Sequence, residues 1–146
     1  MATTGYIALF GEFLNERLNL NAAARGMGWS TRQAGTVSRH HAVDVRTPLV
    51  AVLIDPKSLG MPWRDALDLI QTAAPGVRAV ICHDVDELDS QPGMLDSGAF
   101  YTLLTPADPR EVEFMFAKLD ASLAASALPR TIGNRSHFAF QMAGAA

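Results

Sequence analysis

One apolar run constrains this chain more than any other feature. Residues 49–54 read Leu-Val-Ala-Val-Leu-Ile and lie between Pro48 and Asp55. A continuous apolar run of this length predicts a strand buried on both faces, as strands of parallel sheets are. Four further segments are predicted as strands: residues 6–10, 30–34, 77–82 and 101–104.

Segments with a helical pattern separate these predicted strands. Residues 62–74 repeat apolar side chains at helical spacing after a proline, and residues 13–25 are rich in helix formers. Asp108 and Glu111 form a capping box that opens the last helix. Residues 36–45 are ambiguous, and residues 84–96 predict a short or irregular helix. Strands that alternate with amphipathic helices predict an α/β protein with a doubly wound parallel sheet.

Composition excludes several classes of protein. The 146 residues are 49% hydrophobic and 18% charged, which argues against disorder. Twelve basic and 15 acidic residues give a net charge of −3, so the chain has no electrostatic footprint for nucleic acid. A single cysteine excludes a disulfide framework. No apolar run approaches the roughly 20 residues of a membrane span, and no export signal opens the chain, so we expect a cytoplasmic domain.

Polar and small residues follow four of the predicted strands. In doubly wound sheets the functional crevice lies at the carboxyl ends of the strands. The residues at these ends are Gly11, Glu12, Asp55, His83, Asp84, Thr105 and Pro106. They are therefore the candidates for any chemistry.

The chain resembles the receiver domain of bacterial response regulators. Residues 49–55, 75–83 and 98–108 carry the resemblance, in particular the Gly98-Ala99 pair and the Pro106-x-Asp108 ending. It implies the flavodoxin-like receiver topology: five parallel strands in the order 2-1-3-4-5. We expect residues 1–125 to form this domain and residues 126–146 to be a tail or linker.

The resemblance also implies a phosphoryl-acceptor site. Receivers hold Mg²⁺ with two acids after the first strand and one after the third, and the third acid accepts the phosphoryl group. A Thr or Ser after the fourth strand and a Lys before the proline of the fifth contact that group. Such sites act through positioning and charge neutralisation.

This chain departs from that pattern at most of these positions. Asp55 stands at the acceptor position, but Gly11 and Glu12 stand where two acids are expected. His83 replaces the hydroxyl residue, and Thr105 replaces the lysine. We therefore expect a silent acceptor without catalytic activity, no cofactor, and only weak Mg²⁺ binding by Glu12 and Asp55.

The pattern of losses resembles the divergent amino-terminal receivers of bacterial enhancer-binding proteins, the AAA+ activators of the alternative sigma factor. Residues 128–136 are similar to the segment that opens their AAA+ domain. The resemblance implies regulation of an attached or partner output domain, with DNA contacted only through another domain. Receivers pair through the face of the fourth helix, fifth strand and fifth helix, so we expect a homodimer that uses Tyr101 and Phe114.

Two other functions remain open at this point. Glu12 and Asp55 would allow a working two-component receiver that takes phosphate on Asp55 from a histidine kinase. An unrelated flavodoxin-like protein with a small ligand in its crevice is the third possibility. The pair His40-His41 has no third ligand nearby and is interpreted as solvated or half-buried, and Cys82 as a small core residue.

Overall fold

The computed structural model describes residues 4–34 and 48–126. These residues form five strands and five α-helices. The strands are β1 (Gly5–Phe10), β2 (Trp29–Ala34), β3 (Leu49–Ile54), β4 (Arg78–His83) and β5 (Tyr101–Leu104). The helices are α1 (Arg17–Gly26), α2 (Pro56–Leu59), α3 (Trp63–Ala73), α4 (Gln91–Asp96) and α5 (Pro109–Ser126), with a 3₁₀ helix at Val85–Ser90 before α4.

All five strands pair in parallel in one sheet, with the order β2-β1-β3-β4-β5. The predicted fold class and strand order are therefore confirmed. Because β3 is the middle strand, Asp55 directly after it lies at the centre of the sheet's carboxyl edge.

Helices cover the sheet on both faces. On one face, α1 and α5 pack against alternate strand residues such as Ile7, Leu9 and Leu53. On the other face, α3 and α4 pack against the intervening residues such as Val52 and Ile54. Burial on both sides explains why β1, β3 and β4 are nearly continuous apolar runs, whereas the edge strand β2 is mostly polar.

The element bounds differ from the sequence prediction at three places near the crevice. The first helix begins at Arg17 rather than at residue 13, because residues 14–16 form a turn. β4 extends to His83, and residues 56–59, which carried no predicted helix, form the short helix α2. Pro56 opens α2 at a position where its missing N–H costs no hydrogen bond.

Several predictions lie outside the described residues. These are the ambiguous segment 36–45 with His40-His41, and the tail after residue 126. Across residues 4–34 and 48–126, no helix is long and apolar enough to cross a bilayer.

Candidate functional site

The carboxyl ends of the strands form an open pocket of about 240 Å³. Asp55, Lys57, Ser58, Asp84 and Thr105 line it. The structure thus brings together three of the candidate residues from the sequence, Asp55, Asp84 and Thr105. Ser58 was not singled out as a functional residue.

Asp55 is the half-buried acid at the centre of this edge. Its backbone N–H donates to the Phe10 carbonyl at 2.9 Å, which fixes it beside the end of β1. Burial raises the pKa of the Asp55 carboxyl, polar groups of Ser58 and Lys57 lower it, and the negative charge of Asp84 raises it further. The acceptor position therefore holds a carboxylate that its surroundings stabilise poorly.

The turn after β1 has no room for a side chain at position 11. Gly11 has a φ of +114°, which L-residues rarely adopt. A Cβ built on Gly11 would lie 2.6 Å from the Ser58 Oγ and 2.9 Å from the Asp55 Cβ. A side chain at position 11 would therefore require this turn or its neighbours to move.

Ser58 connects the turn after β1 with the turn after β3. Its hydroxyl accepts from the Glu12 N–H at 2.9 Å and donates to the Asp55 carbonyl at 3.1 Å. From the other side, the Gln33 amide on β2 donates to the Gly11 carbonyl at 2.9 Å. The Glu12 side chain itself is exposed.

Lys57 is a cation beside the acceptor, on the first turn of α2. Its ammonium group forms a hydrogen-bonded ion pair with Asp84, which follows β4. The pair raises the pKa of Lys57 and lowers that of Asp84. Lys57 is well exposed, so this pair is of the surface kind that contributes little to stability.

His83 stands at the end of β4 where the resemblance expects a small hydroxyl residue. The ring is 1% exposed, and it lies 3.0 Å from the Asp84 carbonyl through Nδ1 and 2.9 Å from the Gln91 side-chain nitrogen through Nε2. A hydrogen on Nδ1 satisfies both contacts, because Nδ1 then donates to the carbonyl and Nε2 accepts from the amide. Both ring nitrogens are therefore hydrogen-bonded within the chain, one to the Asp84 carbonyl and the other to Gln91 on α4.

Thr105 stands where the resemblance expects a lysine, and it carries no charge. Both its backbone N–H and its hydroxyl donate to the His83 carbonyl, at 2.7 and 3.2 Å. The side chain therefore ties the end of β5 to the end of β4.

Glu16 is a site residue that the sequence analysis missed. It is only 7% exposed, and burial and then the negative charge of Asp55 raise the pKa of its carboxyl. The sequence reading placed it inside a helix, whereas it lies in the turn before α1. Cys82 is buried, and burial, followed by the negative charges of Asp55 and Glu16, raises the pKa of its thiol well above its ordinary value. This agrees with its interpretation as a small core residue.

The predicted interface residues lie together on the far side of β5. The rings of Tyr101 and Phe114 are 6.3 Å apart, and the Lys118 ammonium lies 5.6 Å from the Phe114 ring centroid. Phe114 is 56% exposed. Leu95 on the neighbouring helix α4 is exposed as well.

The potential metal ligands of the crevice are its carboxylate side chains. Among the side chains of residues 4–34 and 48–126, no three His, Cys, Asp or Glu cluster as metal ligands would. Mg²⁺ takes near-octahedral oxygen ligands, commonly one or two carboxylates with waters. Asp55 is half-buried beside Ser58, and Glu12 reaches toward solvent from the neighbouring turn.

Comparisons with known proteins identify the fold. No family profile matches the sequence, and no curated protein matches it. Solved structures do. A response regulator receiver domain from Clostridium thermocellum has a TM-score of 0.65 at 16% identity, covering 83% of this chain and 98% of its own.

Two further structures agree with this assignment. The CheY-like receiver domain from Methanospirillum hungatei has a TM-score of 0.63 at 17% identity and covers 84% of this chain and 99% of its own. Full-length FixJ from B. japonicum has a TM-score of 0.66 at 16% identity, covering 86% of this chain and 63% of its own. The chain therefore has the fold of response-regulator receiver domains.

Proposed function

We propose that this chain is a receiver-like regulatory module that acts in the cytoplasm by protein contact and self-association, without phosphorylation of Asp55. The fold, shared with receiver domains, supports the regulatory role. The observation that carries the rest is Thr105: where a fixed cation would meet a phosphoryl group, an uncharged side chain is bonded to the His83 carbonyl.

The electrostatics of the crevice favour this function over phosphoryl acceptance. A phosphorylated Asp55 would add negative charge beside Asp84 and Glu16, both of which already act on this end of the sheet. Lys57 is a nearby cation, but it is paired with Asp84. Phosphoryl transfer relies on positioned cations for the developing charge, so this pocket stabilises the transfer poorly.

A surface that exists without phosphorylation must then carry the signal. The α4–β5–α5 face, defined here by Leu95, Tyr101, Phe114 and Lys118, offers an exposed aromatic side chain beside a second ring. Closed twofold dimers are the commonest assembly of soluble proteins. We infer a homodimer through this face, with residues 126–146 leading to an output domain of the AAA+ type that contacts DNA and controls transcription.

Sedimentation of the 146-residue chain tests this function. We expect concentration-dependent self-association of the wild type that is unchanged by Mg²⁺ and by acetyl phosphate. Phe114→Glu places a carboxylate on this face, and burying that charge against an apolar surface is unfavourable. Association should therefore weaken by at least about tenfold, which corresponds to about 1.4 kcal/mol.

Leu18→Glu is the matched control. Leu18 is 83% exposed on α1, is not among the residues that define the α4–β5–α5 face, and receives the same change from an apolar to an acidic side chain. It should leave association unchanged. A monomeric wild type, or equal effects of the two substitutions, would exclude this face.

A phosphorylatable two-component receiver is the second candidate, and one observation favours it. Asp55 lines an open pocket together with Lys57, the cation nearest along the chain. If Lys57 leaves Asp84 for the phosphoryl group, Asp84→Asn should increase phosphorylation of Asp55 by acetyl phosphate, and Lys57→Met should abolish it. Neither change should matter under the function proposed first.

A further inference from the structure

We infer that the Ser58 hydroxyl has taken the place of the first-strand acid, so that a direct hydrogen-bonded link joins the ends of β1 and β3 and closes the crevice to Mg²⁺. The inference deepens the proposed function, on which it rests, because it names a physical cause for a silent acceptor. Its test uses neither self-association nor phosphoryl transfer, so the two can fail separately.

The first step is steric. A side chain on Gly11 would meet the Ser58 Oγ at 2.6 Å, the Asp55 Cβ at 2.9 Å and the Asp55 carbonyl at 3.0 Å. A carboxylate at position 11 therefore requires the two turns to separate. In this backbone, the volume that a metal-ligating acid would enter already contains Ser58 and Asp55.

The second step is the bonding of Ser58. A metal at this edge of a receiver would connect the acids after the first and third strands through its ligand shell. Here the Ser58 hydroxyl connects the same two turns by using both of its functions, as acceptor from the Glu12 N–H and as donor to the Asp55 carbonyl. The Gln33 amide holds the Gly11 carbonyl from the β2 side, so the turn is fixed from two directions.

The third step concerns the donors that remain. Glu12 and Asp55 are the acids adjacent to this link, and the Glu12 backbone N–H is engaged by Ser58. The cation Lys57 lines the same pocket. With glycine at position 11 and an ammonium group in the same pocket, this donor set is poorer for a divalent cation than one with a second acid after β1.

Restoring the acid tests the steric step. We expect the wild-type unfolding midpoint to be the same in MgCl₂ and in NaCl of equal ionic strength, since a ligand of the native state would raise it. Gly11→Asp should lower the midpoint and remain insensitive to Mg²⁺, as should its isosteric control Gly11→Asn. A saturable Mg²⁺-dependent rise in the wild type or in Gly11→Asp overturns the inference.

Gly98 provides the control for backbone strain. Its φ is +112°, close to that of Gly11, but the nearest atom to its Cβ position is the mobile end of the Gln71 side chain. Gly11→Ala should therefore shift the unfolding equilibrium at least about tenfold more than Gly98→Ala, and adding Ser58→Gly should recover part of that difference. Equal losses at the two glycines, or no recovery, contradict the steric step.

Amide exchange tests the bonding step even if substitutions at Gly11 fail to fold. The Glu12 N–H should exchange at least about tenfold faster in Ser58→Ala than in the wild type, because the hydroxyl is its acceptor. Ser58→Thr keeps the hydroxyl and should preserve slow exchange. Unchanged exchange in Ser58→Ala would show that the link does not hold the turn.

Discussion

At the acceptor crevice, polar side chains turn toward neighbouring loops, whereas on the α4–β5–α5 face a phenylalanine turns toward solvent. Ser58 joins the turns after β1 and β3, and Thr105 joins the ends of β5 and β4. Phe114 is 56% exposed and shares its surroundings with Tyr101. The contrast teaches that the polar side chains at the carboxyl edge of the sheet bond within the chain, while the aromatic side chain on the α4–β5–α5 face stays exposed, as the proposed self-association requires.

Among changes at the crevice, removal of the buried histidine should lower the free energy of unfolding most. His83→Ala deletes a fully buried ring and leaves the Gln91 amide and the Asp84 carbonyl without their contacts. We expect a loss of about 2–3 kcal/mol in the free energy of unfolding, combining a cavity with lost hydrogen bonds. Urea denaturation measures it, and a loss below about 0.5 kcal/mol, typical of a surface site, would contradict the buried role.

Two phenylalanines on α5 allow an exposed and a buried side chain of the same type to be compared. Phe116 is fully buried between α5 and the sheet, and its ring lies 5.9 Å from that of Trp29, whereas Phe114 is exposed two residues earlier. Phe114→Ala should change the stability of the dilute protein by less than about 0.5 kcal/mol, against about 3–5 kcal/mol for Phe116→Ala.

Self-association should depend on the Phe114 side chain, whereas the stability of the fold should not. Phe114→Ala should weaken it by at least about tenfold while leaving the unfolding midpoint nearly unchanged. Denaturation at low concentration and sedimentation at high concentration separate the two effects. A large stability loss in Phe114→Ala would mean that this side chain belongs to the core rather than to an interface.

Ser58→Ala should have a smaller effect than His83→Ala. The hydroxyl makes two hydrogen bonds at a solvent-accessible position, so its loss should cost on the order of 0.5–1 kcal/mol. Ser58→Thr is the control that keeps the hydroxyl. A fully stable Ser58→Ala would remove the link from the account of the crevice.

Glu16→Gln should have the smallest effect on stability, and this effect should depend on pH. Burial and the charge of Asp55 raise its pKa in the folded protein, so the folded state keeps a proton that the unfolded chain has already lost. Stability therefore falls as pH rises from the unfolded pKa through the folded pKa. Glu16→Gln should raise the melting temperature at pH 7 by on the order of one to three degrees.

That gain should disappear as the pH falls below the unfolded carboxyl pKa of about 4.3, where Glu16 is protonated in both states. Glu12→Gln is the control, because Glu12 is an exposed acid on the same turn. Thermal unfolding at several pH values decides it. A gain that persists in acid would place the cause outside the charge of Glu16.

Sequence reasoning predicted the sheet mainly because the central strands are buried on both faces and are therefore continuous apolar runs. Leu49–Ile54 has no polar residue to mark an exposed face, and Asp55 follows it immediately. Tyr101 and Phe114, which the receiver resemblance placed on one face, lie side by side. These features depend on local periodicity and on the known geometry of parallel sheets.

The polar contacts of the crevice could not be predicted in the same way. Ser58 lies 46 residues from Glu12 along the chain, and Lys57 lies 27 from Asp84. Such contacts depend on where α2 turns, and a four-residue helix leaves little periodicity to detect. A weak signal existed in Ser58 itself, since a serine hydroxyl often donates to the backbone carbonyl three or four residues earlier.

The central claim is that Asp55 is silent, and the intact mass of the 146-residue chain after incubation with acetyl phosphate and Mg²⁺ tests it most directly. We expect an unchanged mass, because Thr105 supplies no cation and Gly11 no metal ligand. Stoichiometric addition of one phosphoryl group that Asp55→Asn abolishes would contradict the account.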